Sequence, residues 1–256
     1  MSNRSSALLS HQRLLLALLV ALTAIGLAVG PALAQDNAED GGRAFLQWDA
    51  MPDLPDGIGV AGPYVGVSSD ALIVAGGANF PTEAGQSIWD AGKVWHDTIW
   101  VLPDNEPGTK WQGPFHLDRA RAYGGAVSSK HGLICIGGND AERVFADVFV
   151  LSWDASAKKI GQAELPALPE PMAFMAAAMI GDTIYVAGGQ SGAGLDSASD
   201  RFWRMDMSKY DGTAQSAASL KWESLPTWPG PARAFNLVVA QHNGFDDCIY
   251  VISGRR

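Results

Sequence analysis

A short apolar run ending in a pair of glycines recurs four times in this chain, and no other feature restricts its fold as much. The copies are Ala-Leu-Ile-Val-Ala-Gly-Gly at 71–77, Gly-Leu-Ile-Cys-Ile-Gly-Gly at 132–138, Thr-Ile-Tyr-Val-Ala-Gly-Gly at 183–189 and Cys-Ile-Tyr-Val-Ile-Ser-Gly at 248–254, where serine replaces the first glycine. The pairs end at Gly77, Gly138, Gly189 and Gly254, in steps of 61, 51 and 65 residues. A supersecondary unit repeated at such a period cannot bury its apolar face alone and must stack on its neighbours.

Other signals keep phase with the glycine pairs. Alternating aromatic segments follow the first three, at 98–102, 144–151 and 202–205. A strand ending in a Leu-Pro turn comes next, at 48–55, 164–169 and 222–231, with a weaker copy opened by Trp111. Segments of small residues, 122–127 and 173–178, lie between turn and glycine pair. Each repeat thus reads as four strands, with small residues where blades converge on a central channel and Trp and Leu where they diverge. The predicted fold is all-β, a β-propeller of about four blades. A β-sandwich with coincidental glycines does not account for the shared order.

The first 34 residues predict a secretory signal. Arg4 and Arg13 supply the basic region, 14–29 is an uncharged apolar run, and Ala32-Leu33-Ala34 is a small-x-small cleavage site. The run is shorter than the roughly 20 residues that a bilayer span needs. Residues 35–256 are then expected as the partial propeller of a periplasmic or secreted protein, free of the membrane after cleavage. A formal net charge of −9 argues against a nucleic-acid partner, which needs a basic footprint. The two cysteines, Cys135 and Cys248, sit in apolar runs two repeats apart, which predicts buried free thiols. Two lone cysteines without paired histidines predict no metal site.

Residues 45–254 resemble the kelch repeat. More narrowly, Asp56-Gly57 through Ser68 leading into Ala75-Gly76-Gly77-Ala78-Asn79-Phe80, and later Arg119-Ala120-Arg121-Ala122-Tyr123-Gly124-Gly125, resemble the N-acetylneuraminate epimerases, also called sialic acid mutarotases, of the cyclically permuted type. The resemblance implies a six-bladed kelch ring. It also implies a truncated chain, stopping at Arg256 before two further blades, and places the family's catalytic glutamate and arginine in those missing blades. The implied activity is acid–base exchange at the anomeric centre of N-acetylneuraminate or a similar sugar, without metal or organic cofactor. The alternative is a non-catalytic kelch module that binds glycan or protein.

Arginines at the start of inner strands, Arg121 and Arg233, are candidate grips for a sugar carboxylate, with structural bonding to loop carbonyls as the rival role. Asn79, just beyond a glycine pair, is a third substrate-binding candidate or a turn residue. His96 is a candidate base or a packing histidine. Glu142 and Arg143, with Asp140, follow the second glycine pair at an offset that echoes the family's pair, or form a solvated loop. The segment 44–49 is expected as an orphan outer strand. Together with an open blade face, it predicts a poorly stable or aggregation-prone chain.

Overall fold

Alternating apolar residues between glycine turns fold here into stacked four-stranded sheets. The computed structural model describes residues 46, 48–82, 86–103 and 108–256. The expected signal segment lies outside them, as do 44, 45 and 47 of the expected orphan strand; Leu46, Trp48 and Asp49 are exposed and not in a strand. Met51–Arg256 form one compact unit.

The first sheet of that unit joins β1 (Tyr64–Ser68), β2 (Ala71–Ala75), β5 (Thr98–Pro103) and β6 (Gln112–His116); the short pair β3 (Ala78–Asn79) and β4 (Val94–Trp95) lies between β2 and β5 in sequence. The second runs β7 (Gly125–Ser129), β8 (Gly132–Ile136), β9 (Val148–Asp154), β10 (Lys159–Leu165). The third runs β11 (Ala176–Ile180), β12 (Thr183–Ala187), β13 (Phe202–Asp206), β14 (Trp222–Ser224), with α1 (Ala214–Ser219) between the last two in sequence. A fourth sheet pairs β15 (Leu237–His242) with β16 (Asp247–Ile252). All pairings are antiparallel. These are kelch-type propeller blades: three of four strands and two strands of a fourth.

Strand limits differ from expectation at two recurrent places. The inner strands begin at Gly125 and Ala176, three residues later than the small-residue segments suggest, because Tyr123 and Phe174 turn the chain through positive φ (60° and 54°). The aromatic strand expected over 144–151 begins at Val148, since Val144 is held instead by a bridge to Asn139.

The core lies between blades. In the second blade Leu133, Cys135, Phe149 and Leu151 pack toward the first, while Ile134, Ile136, Val148 and Val150 pack toward the third. Both faces are covered, so β8 is buried throughout and reads as a continuous apolar run. The fourth blade packs Val238, Ile249 and Val251 on the third and leaves Leu237, Val239, Tyr250 and Ile252 exposed. Both cysteines are free thiols; Cys135 is buried and Cys248 partly buried. Burial pushes the Cys135 thiol well above its ordinary pKa.

Candidate functional site

The glycine pairs bring neighbouring blades together. Gly77 donates its N–H to the carbonyl of Arg121 at 2.8 Å, Gly138 to that of Met172 at 2.8 Å, and Gly189 to that of Arg233 at 2.9 Å. Each link runs from one blade to the chain entering the next. A second set of links joins the turn residues themselves. Tyr123 N–H donates to Gly62 O at 2.7 Å, Phe174 N–H to Tyr123 O at 2.7 Å, and Phe235 N–H to Phe174 O at 2.8 Å. The rings follow the same path: Tyr123 and Phe174 stack with centroids 4.7 Å apart, and Phe174 and Phe235 lie at 4.4 Å.

Beside this row opens a cleft of about 560 Å³, lined by loops from all four blades. Lys93 reaches it from the first blade, Asn139 to Arg143 from the second, Gln190 from the third and Arg255 from the fourth. Lys93 Nζ sits 4.2 Å from the Tyr123 ring centroid and 4.7 Å from that of Trp95. Arg143 lies over Phe145 at 5.2 Å and Arg255 over Phe235 at 5.7 Å. Contacts of this geometry hold a cation in place without neutralising it. Among the described residues, none of the three forms an ion pair. With Asp140 and Glu142 on the same lining, the three cations leave the described cleft with a net positive charge, a field suited to a carboxylate.

Glu142 and Arg143 are presented there by a loop that Asp140 builds. Its Oδ1 accepts from the N–H of Glu142 at 2.8 Å and of Arg143 at 2.9 Å, an Asx turn that leaves both side chains exposed.

The other sequence candidates sit elsewhere. Asn79 and His96 meet each other: His96 Nε2 lies 2.8 Å from Asn79 Oδ1, while Asn79 Nδ2 donates to Gly59 O at 3.0 Å. The Asn79 amide is thereby oriented with its oxygen toward the His96 ring. His96 lines a separate cavity of about 70 Å³. Arg121 is 1% exposed, with Nη2 on Asp118 Oδ1 at 2.9 Å and Nη1 on Asp147 Oδ2 at 3.3 Å. Its guanidinium also covers the rings of Phe145 and Phe149. Next to it, burial holds the Tyr64 hydroxyl far above its ordinary pKa, with a smaller push from Cys135; that hydroxyl donates to Gly137 O. Arg233 Nη1 donates to Ser253 O at 2.7 Å, which ties the start of the fourth inner strand to the fourth glycine pair.

Lys93, Gln190 and Arg255 were not singled out by sequence. Gln190 and Arg255 carried a usable signal: with Asn139, they are the residues directly after a glycine pair, and each is bridged to the residue entering its own inner strand. Lys93 carries no such mark.

The solved structure of YjhT resembles this chain with a TM-score of 0.56 and 15% identity, covering 75% of this chain and 59% of that one, a likeness of fold. The N-acetylneuraminate epimerase of Brucella suis is 34% identical over 44% of this chain and 32% of its own length. That of Yersinia enterocolitica is 36% identical over 42% of this chain and 30% of its own. The chain thus spans about a third of the length of the curated relatives it matches. The family profile described as N-acetylneuraminate epimerase matches residues 22–160, a stretch that holds Lys93, Glu142 and Arg143. A match over more than half of the chain makes it a member of the N-acetylneuraminate epimerase family.

Proposed function

We propose that the four-blade cleft binds N-acetylneuraminate or a closely similar acidic sugar and exchanges its anomers. The carrying observation is a carboxylate, Glu142, that shares one cleft with Lys93, Arg143 and Arg255, none of which forms an ion pair among the described residues. Lys93, Arg143 and Arg255 suit the sugar's carboxylate, and the arginines can grip it with two parallel hydrogen bonds.

The chemistry asks little beyond proton transfer. Glu142 removes the anomeric hydroxyl proton as the bond from the anomeric carbon to the ring oxygen breaks and a ketone forms. The ring oxygen leaves on the same carbon, so the protonated Glu142 can return the proton to it. Rotation of the open chain and closure on the other carbonyl face yield the second anomer, with proton transfers reversed. Such assistance is worth roughly 10² to 10⁴ in rate.

Export to the periplasm or medium, from the leader-like 1–34, belongs to the same reading. Among the described residues, no helix is long and apolar enough to cross a membrane. Exposure of Glu142 favours a second reading, a binding module, because a solvated carboxylate gains little from a low-dielectric site.

Proton NMR of N-acetylneuraminate freshly enriched in one anomer tests the proposal. Anomer exchange above the spontaneous rate, at catalytic protein concentration, is expected. Binding without acceleration selects the module reading, and no binding overturns both.

A further inference from the structure

Three of the four turn residues that link the blades are aromatic, in a backbone conformation that penalises them. Tyr123, Phe174 and Phe235 have φ of 60°, 54° and 57°. Left-handed backbone is uncommon for residues with a Cβ and a marked outlier for bulky ones. Glycine meets the same demand without strain, as Gly62 does in the first repeat with φ 62°. Gly62 stays bare for its own reason: a Cβ there would stand 2.4 Å from Tyr123 Cδ1. At the other positions the side chain is kept despite the backbone, so the rings themselves have work to do. Strain of this kind persists where the surroundings over-determine it, and it concentrates at ligand sites.

The rings of Phe174 and Phe235 line the cleft, and Phe235 is 44% exposed. They form an apolar wall in a site otherwise rich in charge. Next to that wall stands a second, independent anomaly. Gln190 lines the same cleft and is 3% exposed. Its Nε2 donates to Gly192 O at 2.8 Å, which distinguishes the amide nitrogen from the oxygen, and its Oε1 has no donor among the described residues. A buried acceptor of this sort is normally paired.

We propose that Phe174, Phe235 and Gln190 form a subsite for the acetamido group of the sugar, an assignment that rests on the function proposed above. The acetyl methyl packs on the two rings. The amide N–H donates to Gln190 Oε1, which is closed to solvent and reaches the ligand when the side chain turns toward the cleft and exchanges its bond to Gly192 O for the ligand's N–H. The subsite sets specificity; the reacting carbon stays with Glu142.

Calorimetric titration of the full chain with N-acetylneuraminate, and with the analogue bearing hydroxyl in place of acetamido, tests this. The parent should prefer the acetamido sugar roughly tenfold, from one buried methyl and one satisfied acceptor. Phe174→Ala, which leaves Arg255 on Phe235, should lower the preference to roughly threefold by removing the methyl's share, with affinity for the acetamido sugar falling more than that for the hydroxyl analogue, a pattern that general loss of structure would not give. Phe174→Leu, which keeps apolar volume, should retain part of the preference. Equal binding of both sugars by the parent, or a preference unchanged in the variants, overturns the subsite and leaves the proposed function standing. Binding of neither sugar overturns both.

Discussion

A Cβ added to Gly137 would stand 2.3 Å from the carbonyl oxygen of Met172, the residue through which the third blade's chain approaches the second. Gly76 stands in the same relation to Arg121 O, also at 2.3 Å. The glycine pair thus does more than permit a bend. It lets the backbone of the next blade close in, so that Gly138 N–H can donate to Met172 O.

Gly137→Ala should therefore cost at least about 2 kcal/mol, because the obstacle is a backbone carbonyl with hydrogen-bonding partners of its own. Gly181→Ala is the control. Its φ of 56° is nearly the same, but nothing lies within 4 Å of the added Cβ. That change should cost only the left-handed backbone term, about 1 kcal/mol. Urea unfolding midpoints of the two variants check the contrast.

Arg121→Ala should destabilise the fold by about 1–3 kcal/mol, below the usual figure for a broken buried pair because its partners are half in water. Asp118 and Asp147 have side-chain exposures of 43% and 50%, against 1% for Arg121. The variant also loses packing on Phe145 and Phe149. Urea denaturation gives the stability change.

Asp211 should give the α1 region an acid-sensitive component of stability. Its carboxylate accepts from the hydroxyls of Ser216 and Thr213 and from the Thr213 N–H, which lowers its pKa from 3.8 to about 2. A folded-state pKa below the unfolded one stabilises above the unfolded value, and the contribution disappears as pH falls through the folded one. The parent should thus be more stable than Asp211→Asn above about pH 4, with the gap closing toward pH 2. Thermal unfolding across that range checks it.

Cys135 should resist a thiol reagent in the folded protein while Cys248 reacts. Cys135 is fully buried and its thiolate is suppressed, whereas Cys248 is partly open. One equivalent of thiol should titrate natively and two after denaturation.

Much of the fold was legible in the sequence, because its causes are local and repeated. The apolar run before each glycine pair became the second strand of a blade, and the phase of the aromatic and Leu-Pro signals gave the strand order. The onset of the inner strands was not legible. Tyr123 and Phe174 sit in small-residue segments that read as continuous inner strand, and their positive φ goes with a backbone hydrogen bond to the preceding blade. The site was legible in part. Of the residues singled out by sequence, Glu142 and Arg143 lie on the lining of the proposed cleft, whereas Asn79 and His96 pair with each other and His96 lines a separate cavity. Lys93 and Arg255 come from loops 162 residues apart, and only the stacking of blades brings them to one cleft.

The most direct measurement is the anomer-exchange rate of Glu142→Gln beside the parent, with sugar affinity measured in parallel. The substitution keeps the loop, since Asp140 holds that residue by its backbone N–H. The proposed function predicts a rate lowered roughly 10² to 10⁴-fold, or to the spontaneous background, with affinity changed little. Exchange by Glu142→Gln at the parental rate would contradict it.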